Sequence, residues 1–132
     1  EDTVKKLKIM MQGVVSKPWG TAHNIFDKNI ILAGKTGTTQ INYATDRVEY
    51  VSSFVGYFPA NNPKYSCIVV ISKPNKAIGY YGNKVAAPVF KKIAKSVINN
   101  LPNELKLNID DINRLSDLMN QPSDNTKVLD KS

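Results

Sequence analysis

The stretch Cys67-Ile68-Val69-Val70-Ile71 is continuously apolar, with four β-branched residues in a row, and Lys73-Pro74-Asn75 closes it. A run that short, that branched and that firmly bounded reads as a strand over Tyr65 to Ser72. Because no polar residue alternates through its centre, it is expected to be covered on both faces. A second segment, Tyr50 to Phe58, is rich in aromatic and β-branched residues, and Pro59-Ala60-Asn61-Asn62-Pro63 separates the two with strong turn chemistry. So short a connection makes the pair an antiparallel hairpin. Whatever the chain folds into is built around this hairpin.

The flanks supply helices and one more strand. Val4, Leu7, Met11 and Val14 recur at helical spacing with lysines at 5, 6 and 8 opposite them, so a helix is expected over about residues 2–14, ended by Gly13 and Pro18-Trp19-Gly20. Gly20 to Asn29 reads as a loop, and Ile30 begins a strand that runs through Thr38. Thr39 to Glu49 reads as a long connection. After a glycine-containing loop, Val85, Val89, Phe90, Ile93, Val97 and Ile98 mark an amphipathic helix to about Asn99, with Pro88 tolerated in its first turn. Leu101-Pro102-Asn103 breaks it, and Asn108 can cap a short helix over about 109–120 before a polar end.

The expected class is therefore α+β: a three-stranded antiparallel sheet packed by N- and C-terminal helices, with a short tail helix. Residues 1–100 form the folded body and 101–132 a polar, acidic tail. The net charge of +7 divides along the same line, with 14 basic and 5 acidic side chains in residues 1–100 (+9), and 4 and 6 in the remainder (−2). The lysines of the body are scattered and only Arg47 precedes residue 100, so they read as solvated faces and no nucleic-acid partner is expected. One cysteine, Cys67, rules out an internal disulfide, and a single histidine, His23, argues against a metal centre. Neither metal nor cofactor is expected.

Chemistry concentrates in Lys35-Thr36-Gly37-Thr38. In a strand, Thr36 and Thr38 share one face while Lys35 and Gly37 share the other. Two hydroxyls side by side can hydrogen-bond a carboxylate, and an adjacent ammonium attracts it. Gly37 removes a side chain where a ligand must pass close to the backbone, and an edge strand offers unpaired N–H groups that can hold a peptide or an oxyanion. A phosphate-binding loop ending at Gly34-Lys35-Thr36 is excluded, because it needs a glycine where Asn29 stands and a helix directly after the threonine.

Five ordered blocks extend this signal: Gly20-Thr21-Ala22; Ala33-Gly34-Lys35-Thr36-Gly37-Thr38-Thr39-Gln40; Phe54-Val55-Gly56-Tyr57-Phe58-Pro59; Asn62-Pro63-Lys64-Tyr65; and Tyr80-Tyr81-Gly82 followed by Ala86-Ala87-Pro88-Val89-Phe90. Over about residues 1–100 the chain resembles the class B, high-molecular-weight penicillin-binding proteins, the peptidoglycan transpeptidases of cell division or elongation. That superfamily carries three motifs, S-x-x-K, S-D-N and K-T-G. No serine here has a lysine three positions on, and Ser123-Asp124-Asn125 spells the second motif only after the third and within the polar tail, where the match is an accident.

The resemblance implies a partial transpeptidase (serine β-lactamase-like) fold: the C-terminal part of a domain whose nucleophile lies in the preceding part. Carried over, Lys35 maintains the electrostatics of the serine site and steers the substrate carboxylate. Thr36 and Thr38 hydrogen-bond that carboxylate, the Thr38 N–H is one oxyanion donor, and Gly37 leaves room for the ligand. The implied partners are a peptidoglycan stem peptide or a β-lactam in the intact parent, and the remainder of the transpeptidase domain. The implied location is the outer face of a bacterial cytoplasmic membrane, with the anchor outside this chain. Alone, the chain is expected to be inactive, to resist acylation by penicillin and to self-associate. A β-lactamase or β-lactam sensor, or a non-catalytic scaffold module, are the rival readings. Of the remaining residues, His23 reads as a surface histidine, Cys67 as a buried inert thiol, and Trp19 as packed under the first helix. Asp46-Arg47 reads as a solvated loop pair, and Tyr80 and Tyr81 as packing for the second helix.

Overall fold

The computed structural model describes residues 1–41 and 48–100. Its elements run α1 (Asp2–Ser16), a single 3-10 turn (His23–Ile25), β1 (Ala33–Ile41), β2 (Glu49–Phe58), β3 (Tyr65–Ser72), α2 (Gly82–Val85) and α3 (Ala87–Asn99). The strands form one sheet in the order β1-β2-β3, both pairs antiparallel. The α+β architecture expected from the sequence is the one observed. The tail from residue 101, with its expected helix at 109–120, and the Asp46-Arg47 pair lie outside the described residues.

Boundaries differ where local chemistry outweighs propensity. Helix α1 runs past Gly13 to Ser16 and stops at Lys17, which is extended (φ −82°, ψ 141°) while its N–H closes on the Gly13 carbonyl. Lys17 precedes Pro18, whose ring disfavours helical geometry in the residue before it. Strand β1 begins at Ala33 rather than Ile30 and continues past Thr38 to Ile41, because Thr39, Gln40 and Ile41 stay paired with Val51, Tyr50 and Glu49. The loop after Gly20 contains the 3-10 turn, which buries Ile25.

The register assigns the two faces of the sheet. Thr36 lies opposite Phe54, which lies opposite Val69; Gly34 lies opposite Gly56, which lies opposite Cys67. This face is covered by α3, which buries Ala87, Phe90 and Ala94. The alanines let the helix axis approach closely while Phe90 fills the gap, its ring 4.8 Å from Phe54 and edge-on to Phe58 at 5.6 Å. The small residues at 87 and 94 are what large-residue spacing overlooks. Opposing glycines make the hollow for these rings: a Cβ on Gly34 would lie 2.5 Å from the Val55 carbonyl oxygen and 2.6 Å from Phe54 Cε1.

The other face is a correction to the expected two-sided cover. Among the described residues its β3 side is left open, with Ile68 64% exposed, Val70 54% and Val55 46%, while Ala33 is buried and Tyr57 half-buried at its other end. Helix α1 docks through its C-terminal part: Met11 to Val14 are half-buried, Gln12 donates to the Ala60 carbonyl at 3.3 Å, and Val15 joins the core with Ile25, Leu32 and Phe58; Val4, Leu7 and Met10 face solvent. Of the apolar stripe legible in the sequence, Met11 and Val14 are half-buried, while Val4 and Leu7 lack a partner among the described residues.

The segment between α1 and β1 is pinned at its far end by charge. Asp27 receives Lys95 at 2.7 Å and Lys91 at 3.3 Å, and its Oδ1 accepts the Asn29 N–H at 3.0 Å. The Lys95 hydrogen bond above all, then the Asn29 N–H and Lys91, lower its pKa to about 2. Lys91 also donates to the Phe26 carbonyl at 2.9 Å, so the loop is fastened to α3 by three contacts.

Candidate functional site

Strand β1 pairs with β2 on one side only among the described strands, so Lys35-Thr36-Gly37-Thr38 lies at an edge. The Lys35 ammonium curls along the strand, donating to the Thr36 carbonyl at 2.9 Å and to Thr36 Oγ1 at 3.1 Å. Thr38 Oγ1 accepts the Gly82 N–H at 3.1 Å from the start of α2. Each of the two hydroxyls therefore accepts one N–H donor. A hydroxyl so engaged keeps its own hydrogen to give away, which suits a group that only accepts, such as a carboxylate.

Behind Thr36 stands Thr21, with the two Oγ1 atoms 3.5 Å apart. Behind Gly82, the Asn83 carbonyl accepts Asn24 Nδ2 at 2.7 Å, so the 20–27 segment braces α2 as well as β1. Gly37 sits where a Cβ would meet only Ser53 Oγ, at 2.6 Å, a rotatable atom. Packing within the chain thus demands glycine far less at 37 than at 34, and room for a ligand remains a reason for it.

An aromatic stack stands beside these groups. Tyr50 and Tyr80 are face to face at 4.1 Å, Tyr81 lies 4.5 Å from Tyr80, and Lys76 Nζ is 5.6 Å from the Tyr50 ring centre. Ser52 Oγ donates to the Tyr80 carbonyl, holding the loop down on β2. Tyr80 and Tyr81 were expected to pack for the second helix; Tyr80 instead stacks on Tyr50 of β2, and Tyr81 is exposed.

Three single-residue readings change. Trp19 is 80% exposed, with Lys17 Nζ 5.8 Å from its ring, because the chain turns away from α1 at Pro18 instead of folding beneath it. His23 is half-buried: its Nδ1–H donates to the Val15 carbonyl at 3.1 Å and its ring stacks on Phe26. Cys67 is a free, half-buried thiol packed against the core from the α3 face. Thr21, Asn24 and Gly82 were not assignable from spacing, since each acts through space. The Gly20-Thr21-Ala22 block was the available signal for Thr21.

Among the described residues no group of three His, Cys, Asp or Glu side chains is placed to hold a metal ion, and no helix is long and apolar enough to cross a membrane.

Residues 1–95 match the family model described as the penicillin binding protein transpeptidase domain. The peptidoglycan D,D-transpeptidase FtsI of Buchnera aphidicola (subsp. Baizongia pistaciae) is 35% identical over 95 residues, 70% of this chain and 16% of that protein. The probable peptidoglycan D,D-transpeptidase PenA of Neisseria gonorrhoeae is 35% identical over 101 residues, 75% of this chain and 17% of its own length. The solved transpeptidase domain of FtsI4 from Legionella pneumophila superposes with a TM-score of 0.62 at 31% identity, covering 74% of this chain and 35% of that one. The chain thus spans about a sixth of the length of these curated relatives.

Proposed function

Since this chain belongs to the penicillin-binding protein transpeptidase family, we propose that it provides the carboxylate-binding and oxyanion-binding edge of a peptidoglycan D,D-transpeptidase site. The observation that carries the reading is the pair of hydroxyls, Thr36 accepting from the Lys35 ammonium and Thr38 from the Gly82 N–H.

In this reading the free C-terminal carboxylate of a stem peptide lies along β1. Lys35 attracts it, and Thr36 and Thr38 donate their hydroxyl hydrogens to it. The Thr38 N–H, on the edge of the sheet, stabilises the oxyanion that forms when the D-Ala-D-Ala amide carbonyl is attacked. Gly37 lets the peptide lie against the strand. The attacking serine and its lysine come from outside this sequence, which contains no S-x-x-K. That serine forms the acyl-enzyme and passes the acyl group to the amine of a neighbouring strand; a β-lactam acylates the same serine. The chain by itself binds and does not acylate. Its uncovered Val55, Ile68 and Val70 and the solvent-facing stripe of α1 are the surfaces on which the rest of the transpeptidase domain sits. The reaction takes place on the outer side of the bacterial cytoplasmic membrane, where its substrate is.

The test is a chimera in which residues 1–99 replace the matching part of the Legionella FtsI4 transpeptidase domain. The folded chimera is expected to be acylated by a fluorescent penicillin, and Lys35→Ala to slow that acylation by about 100-fold or more. Acylation at an unchanged rate in the Lys35→Ala chimera contradicts the assignment.

A further inference from the structure

Thr21 has no chemical role in the proposed function, yet its Oγ1 lies 3.5 Å from Thr36 Oγ1. Its placement is stiff. The Gly20 N–H donates to the Lys17 carbonyl at 2.8 Å, the Ala22 N–H to the Val14 carbonyl at 3.0 Å, and the His23 N–H to the Gly20 carbonyl at 3.0 Å. His23 adds its ring N–H to the Val15 carbonyl, and Ala22 is fully buried. A Cβ on Gly20 would lie 2.5 Å from the Gly13 carbonyl oxygen, so the turn is pressed against the end of α1. The hydroxyl of an exposed residue is thereby held at a fixed position beside β1.

The hydrogen-bond directions around Thr36 are constrained. Lys35 occupies one lone pair of Thr36 Oγ1, since an ammonium can only donate. The Thr36 hydrogen is then left to point toward Thr21 Oγ1, 3.5 Å away. That separation is well beyond the 2.7–2.8 Å of a closed O–H···O bond, so little is lost when the hydrogen is redirected. Thr21 is itself a hydroxyl, and can turn to donate into the second lone pair of Thr36.

Resting on the carboxylate reading above, we propose that Thr21 is a positioning residue that reverses its hydrogen bond when an anionic ligand arrives. Without ligand, Thr36 donates toward Thr21. With ligand, Thr36 donates to the carboxylate, and Thr21 donates to Thr36. Thr36 Oγ1 then accepts from both Lys35 and Thr21 while giving its only hydrogen to the ligand. A hydroxyl that accepts two hydrogen bonds is a stronger donor, so Thr21 acts on affinity without touching the ligand.

Calorimetric titration of this chain with N-acetyl-D-alanyl-D-alanine tests the proposal, with the C-terminally amidated peptide as the control lacking a carboxylate. Thr21→Val keeps the shape and removes the hydroxyl; it is expected to weaken binding about 3- to 10-fold, the worth of one ordinary hydrogen bond. Thr21→Ser keeps the hydroxyl and is expected to stay within about twofold of the parent chain. Unchanged melting of both variants excludes unfolding as the cause, as the exposure of Thr21 predicts. Parent-like binding by Thr21→Val, or equal loss in Thr21→Ser and Thr21→Val, overturns the proposal while Lys35→Ala still abolishes binding. Failure of the parent chain to prefer the free carboxylate over the amide overturns the carboxylate reading, and this proposal with it.

Discussion

Two glycines three residues apart in β1 should respond very unequally to alanine. At Gly34 the new Cβ would lie 2.5 Å from the Val55 carbonyl oxygen and 2.6 and 2.7 Å from Phe54 Cε1 and Cζ. Non-bonded carbon and oxygen normally stay more than about 3 Å apart. One obstacle is backbone in the paired strand and the other is a fully buried ring wedged against Phe90. Relief requires β1 to move off β2 or Phe54 to leave its rotamer, and overpacking of this kind costs about 1–3 kcal/mol. With two obstacles the cost of Gly34→Ala belongs at the upper end, about 3 kcal/mol, or at least about 10 °C in melting temperature for a folded unit of this size. At Gly37 the Cβ meets only Ser53 Oγ at 2.6 Å, and Ser53 Cβ is 4.0 Å away. A turn of one serine χ1 removes the clash, and alanine recovers part of the entropy glycine loses in a strand, leaving a net change below about 1 kcal/mol. Urea titration followed by circular dichroism measures both, read at constant m. Equal destabilisation by the two variants, or a neutral Gly34→Ala, would refute the packing argument. Loss of peptide binding in a stable Gly37→Ala variant would complete it.

Asp27→Asn is expected to cost about 1 kcal/mol near pH 6, in the range of a partly exposed charge cluster with a backbone hydrogen bond. Because the folded pKa of Asp27 lies below its ordinary value of 3.8, at about 2, its contribution is present above about pH 4 and is lost as pH falls through 2. The gap in urea midpoint between parent and variant should therefore close across that window, and a gap independent of pH contradicts the ion-pair account. The exposed Val55, Ile68 and Val70, and an edge of β3 that no described strand pairs, predict concentration-dependent self-association of the chain, and Ile68→Lys should weaken it by placing a charge on the exposed apolar patch. A clean monomer for the parent chain by sedimentation at high concentration counts against this. Mass spectrometry of the chain after incubation with penicillin should show no covalent adduct; a penicilloyl adduct would contradict binding without acylation.

How far the sequence could be read depended on whether the deciding contact was local. Strand β3 emerged residue for residue, because turn chemistry on either side and unbroken β-branching leave no other local solution. Its surroundings differ among the described residues for an equally physical reason: periodicity reports what a strand prefers to bury, not which residues cover it. Helix α1 shows the same split, since Val4 and Leu7 form a true apolar stripe and yet face solvent. The end of α1 could have been placed from Pro18 alone, through its effect on Lys17. In the site, Lys35, Thr36, Gly37 and Thr38 were legible because one strand carries them all at alternating positions. Their supports were not, because Thr21 reaches Thr36 across 15 positions and Gly82 reaches Thr38 across 44. Only the fold creates those pairings.

The central claim is that the edge from Lys35 to Thr38 recognises a peptide carboxylate. Its most direct test is an amide nitrogen–proton shift map of the chain titrated with N-acetyl-D-alanyl-D-alanine. The amides of Thr36, Gly37 and Thr38 should move saturably, with Gly82 following through its bond to Thr38. The amidated peptide should leave them unmoved, and Lys35→Ala should abolish the response. Shifts confined to other parts of the fold, or an equal response to the amidated peptide, would contradict the account.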